Sequence, residues 1–152
     1  MAALRFSTRS EYGLRALLDL AIHGNGAPIT ANAIAERQEM PLHYLEQLLS
    51  SLKKAGIVRS TRGPRGGFEL ARSPTEVNLY EIIACLEGGV IPADCLNEGG
   101  AAVCNLISVC AVRNVWKRVA DAIAGTLLAL TLDDVRQEQV ELQGSFSPMY
   151  HI

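Results

Sequence analysis

Apolar and polar positions alternate along this chain with helical spacing almost from its start. Between Ser7 and His23, Tyr12, Leu14, Leu17, Leu18, Ala21 and Ile22 gather on one broad face; Ser7 or Thr8 can cap the start and Gly24 stops it. After a turn over Gly24 to Pro28, Thr30 caps a short helix to about Gln38. Pro41 opens another, which runs to about Ala55 and ends at Gly56. Two short helices across a tight turn, the second amphipathic and followed by basic residues, form a helix-turn-helix pattern. Spacing alone does not separate it from any small helical bundle.

The next segment sharpens the picture. Ile57 to Thr61 predicts a strand, Arg62-Gly63-Pro64-Arg65-Gly66-Gly67 a turn, and Phe68 to Ala71 a returning strand. A hairpin with two arginines at its tip, directly after the second helix of such a pair, is a wing. Leu79 to Glu87 predicts a short helix with Leu79, Ile82, Ile83 and Leu86 inward, stopped by Gly88-Gly89. Val90 to Val103 has no clear period and holds Pro92 and Gly99-Gly100. A long helix follows from roughly Cys110 to Leu130, with Val112, Trp116, Val119, Ile123, Thr126 and Leu130 spaced four and three apart. That is a narrow coiled-coil seam, and it predicts a homodimer. Thr131 can cap a last helix over Leu132 to about Val140, with Asp133 and Asp134 suited to its dipole. The expected fold is mainly α: a winged helix-turn-helix with a β-hairpin wing and a long C-terminal dimerisation helix.

The net charge of −2 conceals an asymmetry. Met1 to Arg72 carries ten Lys/Arg against six Asp/Glu, a net of +4; Ser73 to Ile152 carries four against ten, a net of −6. A basic N-terminal half suits a polyanion, and an acidic remainder does something else. The longest apolar runs, Ala16 to Ile22 and Gly125 to Leu132, are far short of a membrane span, and no secretory signal is visible. A cytoplasmic protein without membrane association is expected. Its four cysteines then point to metal or redox chemistry rather than to disulfides.

Cys95, Cys104 and Cys110 are separated by eight and then five residues, which lacks the close cysteine pairs of a zinc ribbon. Thiolates converging from a loop and a helix start can hold iron, but three loop cysteines alone can equally be incidental. Cys85 falls on the apolar face of its helix and reads as a buried core thiol, Trp116 as dimer packing, and His23 and His151 as surface residues.

Four segments together resemble the bacterial Rrf2 family of transcription regulators. They are Arg9-Ser10-Glu11-Tyr12-Gly13-Leu14-Arg15-Ala16-Leu17-Leu18-Asp19-Leu20-Ala21, Tyr44-Leu45-Glu46-Gln47-Leu48, Gly56-Ile57-Val58 and the Arg62 to Gly67 turn. The resemblance runs from about Leu4 to about Val135. It implies a dimeric, non-enzymatic DNA-binding regulator acting on a pseudo-palindromic promoter site. Many members carry an iron–sulfur cluster on three cysteines before the long helix and sense cluster supply, iron or nitric oxide; one branch regulates cysteine metabolism without a cluster. By this resemblance the cluster ligands are Cys95, Cys104 and Cys110, with [2Fe–2S] and [4Fe–4S] both open. The chain then divides into a DNA-binding domain over 1–75, a connecting helix within 76–90, a cluster loop over 91–110, dimerisation helices over 111–142 and a tail over 143–152.

The resemblance also assigns roles on the DNA side. His43, Glu46 and Gln47 share one face of the second helix of the pair and become the base readers, with Glu46 suited to a cytosine amino group and Gln47 to adenine. Arg62 reaches the minor groove beside Arg65. Lys53, Lys54, Arg59 and Arg5 are candidate phosphate contacts from their charge alone. For a fourth cluster ligand, one branch of the family uses a histidine three residues after the last cysteine; Arg113 stands there and has no lone pair to offer. Other members use an acidic residue near the start of the first helix, reaching from the second subunit, and Glu11 matches it. Otherwise Glu11 simply pairs with Arg15. Two rivals stay open: a cluster-free, thiol- or partner-controlled repressor of cysteine or sulfur metabolism, and an iron–sulfur carrier or enzyme. Against the last, there is no Ser/His/Asp or Cys/His arrangement and no phosphate loop.

Overall fold

In a computed structural model, the structure describes residues 4–100 and 104–146. The elements in chain order are α1 (Thr8–His23), α2 (Ala31–Gln38), α3 (Leu42–Lys54), β1 (Val58–Thr61), β2 (Gly67–Leu70), α4 (Leu79–Glu87), α5 (Ala111–Leu128) and α6 (Leu132–Ser145). Short 3₁₀ turns precede α4 and lie within the cysteine-bearing segment, at Pro74–Glu76, Asp94–Leu96 and Ile107–Val109. The fold is mostly helical with a two-stranded antiparallel hairpin, as the pattern predicts.

The core sits where α1, α2, α3 and α4 meet the base of the hairpin. Leu17, Ile34, Leu45, Leu48, Leu49, Leu52 and Ile82 are wholly inaccessible, and Val77 and Leu132 join them from the C-terminal side. Burying each such side chain stabilises the fold by about 1.5–3 kcal/mol. Capping defines the helix starts. Thr30 accepts from the Ala33 amide at 3.2 Å, and Asn78 and Glu81 form a reciprocal capping box at α4. The tight turn from α2 to α3 passes through Glu39 in the left-handed region, at φ 51°.

The hairpin pairs Val58 with Leu70 through Thr61 with Gly67. Beyond the predicted pairing, Ile29 exchanges two backbone hydrogen bonds with Phe68, at 2.8 and 2.7 Å, and fastens the wing to the turn before α2. Gly67 makes this possible: a Cβ there would collide with the Ile29 carbonyl.

The first helix centres its buried face to one side of the predicted one, of which Leu17 is fully buried and Tyr12, Leu14 and Ala21 pack half-buried against the core. Leu20, Ala16, Gly13 and Ser10 are buried with Leu17, while Leu18 and Ile22 are only half-buried. The cause is Asp19, wholly buried on that face. Its carboxylate accepts from Arg37 Nε at 2.9 Å, Arg37 Nη2 at 2.6 Å and Gln38 Nε2 at 3.0 Å. A buried acid with three donors turns the helix toward α2. Farther on, α5 ends at Leu128 rather than Leu130, because the Leu130 carbonyl accepts from the Leu79 amide and Thr131 pairs with Asn78. The last helix continues to Ser145, past the predicted end at Val140 and into the segment read as tail.

Candidate nucleic-acid interface and cysteine site

Amphipathic α3 buries Leu45, Leu48, Leu49 and Leu52, and this fixes which of its residues face outward. His43, Glu46 and Gln47 are all exposed on the opposite side. Gln47 Nε2 lies 3.2 Å from His43 Nε2, so two of the three candidate readers hold each other in place through one turn of helix. Tyr44 is half-buried and meets Tyr12 edge to face, with ring centroids 5.8 Å apart. It packs behind the candidate reading face rather than joining it.

Arg62 and Arg65 are exposed at the hairpin tip, together with Gly63 and Pro64. The remaining basic candidates differ from one another. Arg59 Nε donates to Glu69 across the hairpin at 2.8 Å, so its charge is already matched. Lys53 Nζ donates to Ser60 Oγ at 2.6 Å and joins the end of α3 to β1. Lys54 and Arg5 are exposed and have no side-chain hydrogen bond or ion pair among the described residues. Of the basic DNA-side candidates, Lys54, Arg62 and Arg65 are therefore the uncommitted cations on α3 and the wing.

Cys95 lies in the 3₁₀ turn Asp94–Leu96, and Cys110 is the residue that caps α5; Cys104 stands between them. All three are free thiols and half-buried. The backbone N–H of Arg113 donates to Cys110 Sγ at 3.4 Å, and the Arg113 side chain donates through Nε to the Cys95 carbonyl at 3.4 Å. One residue thus contacts both cysteines. Among the described residues no three His, Cys, Asp or Glu side chains converge closely enough to hold a metal ion, and residues 101–103, directly before Cys104, lie outside them.

As a donor set the three cysteines suit an iron–sulfur cluster: free sulfurs, partly open to solvent, one at the positive end of an 18-residue helix with an N–H directed at it. Glu11 is exposed on α1 and is not grouped with them within one chain. Its alternative role also falls away. Arg15 donates to the Gln38 carbonyl at 2.6 Å and to Gln38 Oε1 at 3.3 Å and stacks on Tyr12, rather than pairing with Glu11. Cys85 is half-buried rather than fully buried, with its thiol donating to the Ser51 carbonyl at 3.6 Å; burial pushes its pKa up, against the opposing charge of Arg9.

Two residues that the sequence pattern passes over tie the end of α4, which leads into the cysteine segment, to α1 and α3. Arg9 Nε donates to the Leu86 carbonyl at 3.1 Å, at the end of α4, and its Nη2 donates to Ser51 Oγ of α3 at 3.4 Å. Glu87 accepts from the Ser7 amide at 2.6 Å, Ser7 Oγ at 2.8 Å and Ser10 Oγ at 2.5 Å. Partial burial alone would raise the Glu87 pKa, but the hydrogen bonds from Ser10 and Ser7 outweigh it and hold the carboxyl below its ordinary range. Nothing in the periodicity marks either residue. Asn78 and Glu81, by contrast, carry the N-x-x-E spacing of a capping box.

A helix pair with an exposed reading face, followed by an arginine-tipped hairpin, defines a winged helix-turn-helix DNA-binding transcription regulator. Comparison with known proteins makes the assignment particular: residues 6–138 match the family Rrf2, described as "Iron-dependent Transcriptional regulator", and the chain belongs to that family. The protein rrf2 of Nitratidesulfovibrio vulgaris is 36% identical over 135 residues, covering 89% of each chain. Among solved structures, T. potens IscR superposes with a TM-score of 0.75 at 36% identity, covering 93% of this chain and 92% of that one. CymR, the global cysteine regulator of B. subtilis, superposes with a TM-score of 0.72 at 34% identity, covering 90% and 98%. The chain is a regulator and not an enzyme. Among the described residues no helix is long and apolar enough to cross a membrane.

Proposed function

We propose that the chain works as a homodimer on a pseudo-palindromic promoter site, with an iron–sulfur cluster on Cys95, Cys104 and Cys110 setting its DNA affinity. The observation that carries the cluster is the shared contact of Cys95 and Cys110 with Arg113 at the start of α5. When bound, the cluster supplies a redox- and nitric-oxide-reactive group. Glu11 of the second subunit serves as a fourth, more easily displaced ligand. Dimerisation follows from α5, which buries no residue within one chain and leaves Val112, Val115, Trp116 and Leu128 exposed.

On DNA, Glu46 and Gln47 read base edges while Arg62, Arg65 and Lys54 neutralise the backbone or enter the minor groove. The cysteine segment leaves α4 at Gly88, where Glu87 and Arg9 bind that end to α1 and Arg9 reaches on to α3. A change in the cysteine segment therefore has a short hydrogen-bonded route to the reading helix. Anaerobic purification with iron and sulfide analysis tests the cluster. Coloured protein, and colourless Cys95→Ser, Cys104→Ser and Cys110→Ser variants, is the expected result. Colourless wild-type protein overturns it and favours a second reading, a cluster-free regulator, which the likeness to CymR supports.

A further inference from the structure

Arg113 stands where one branch of the family places a ligand and cannot be one, yet it touches both Cys95 and Cys110. Its amide donates to Cys110 Sγ and its guanidinium Nε to the Cys95 carbonyl, both at 3.4 Å. The Cys95 peptide is held from a second side by Gly100, which is buried although its neighbours Asn97 to Gly99 are exposed. A Cβ on Gly100 would collide with the Cys95 carbonyl. The Gly100 amide in turn donates to the Asn97 carbonyl at 2.9 Å, closing the short turn from Asn97 to Gly100 that follows Cys95. Two cysteines 15 positions apart in sequence are thereby joined to a single turn of α5.

We propose that Arg113 and Gly100 are positioning residues of the cysteine site: they hold the Cys95 peptide against the start of α5, so that the thiols of Cys95 and Cys110 are pre-ordered for metal. The role rests on the cluster reading above and extends it to residues that ligate nothing. A flexible loop loses conformational freedom when its thiols are gathered onto a metal, and ordering the loop beforehand lowers that cost. Partners that orient metal ligands typically change metal affinity by about 10–100-fold when removed. In place of a possible fourth ligand, Arg113 links the backbone carbonyl of Cys95, through its side chain, to the sulfur of Cys110, through its own amide.

The test uses the reduced, metal-free full chain and cobalt(II) as the probe, reading the cobalt–thiolate absorbance, alongside amide hydrogen exchange over residues 94–100. Arg113→Ala and Gly100→Ala should each weaken cobalt binding about tenfold or more and speed exchange in that segment, with helix content unchanged by circular dichroism. Arg113→Lys should recover part of both. Arg118→Ala removes the same charge from an exposed position of α5 and should change neither readout. Unchanged affinity or exchange in Arg113→Ala, or an equal loss in Arg118→Ala, overturns the positioning role while leaving the cysteine site intact. A wild-type chain with no cobalt–thiolate band overturns the site itself, and the role with it.

Discussion

The two halves of this molecule use apolar surface in opposite ways. From α1 to α4 the apolar stripes of every helix close on one another, with Leu17, Ile34, Leu45, Leu48 and Ile82 wholly inaccessible. Among the described residues no buried side-chain nitrogen or oxygen lacks a partner. Over its 18 residues α5 buries none, although its period is as regular as that of α1. The same helical pattern thus has two outcomes, and what separates them is whether a matching face lies within the chain. A satisfied stripe closes the N-terminal core; an unsatisfied one is the surface on which the proposed second copy docks.

The sharpest way to break this comparison is to place a charge in the α5 seam, at Ile123, which is half-buried in one chain while Val112 and Trp116 of the same seam are exposed. Ile123→Asp should convert dimer to monomer in analytical ultracentrifugation and abolish binding to paired half-sites, while denaturant unfolding of the N-terminal core changes little. A dimer that survives the change contradicts the assignment of α5. The complementary test strikes the closed half. Asp19→Ala removes a wholly buried acceptor that holds three donors from α2 and should cost about 1–3 kcal/mol in urea unfolding, discounted because Arg37 is partly exposed. Oligomeric state should stay unchanged.

On the reading face the effects should be of similar size but confined to DNA. Glu46→Ala should relax base preference at one position by about 1–3 kcal/mol, and Arg62→Ala should weaken binding to all sequences and flatten its salt dependence. Competition binding against a set of single-base variants separates the two patterns. Equal losses on every sequence for both variants would remove Glu46 from the readers.

The smallest effect concerns the junction of the halves. Glu87 is held below its ordinary pKa of 4.5 by hydrogen bonds from Ser10 and Ser7 that outweigh its partial burial. A depressed carboxyl contributes stability that is present above its unfolded pKa and lost as pH falls through the folded one. Wild type should therefore exceed Glu87→Gln by a constant margin near neutrality, and the margin should shrink below about pH 4.5. A pH-independent difference in thermal unfolding shows that the ionised carboxylate is not what matters.

The sequence discloses most where one residue type answers one local demand. Thr30 capping α2, Gly56 and Gly88 ending helices, and the arginine-tipped turn all stand where the pattern puts them. It discloses less where a distant partner decides. Asp19 sits among apolar residues with nothing nearby to say that Arg37 and Gln38 would bury it. Ile29 joins the hairpin only because Gly67 lets two backbones touch. The end of α5 is set by Leu79, some fifty positions earlier in the chain. At the candidate site the exposure of His43, Glu46 and Gln47 on one face of α3 was predictable from periodicity. The bridging role of Arg113 was not, since its side chain serves a carbonyl 18 positions away.

DNA affinity of the same chain with and without its cluster tests the central claim most directly. Fluorescence anisotropy on a promoter fragment under anaerobic conditions should give a shift of at least tenfold between cluster-loaded and cluster-free wild type. Cys95→Ser, Cys104→Ser and Cys110→Ser should each lock the protein at the cluster-free affinity. Equal affinity in both wild-type preparations, with the three variants indistinguishable from either, would contradict control of DNA binding by these cysteines.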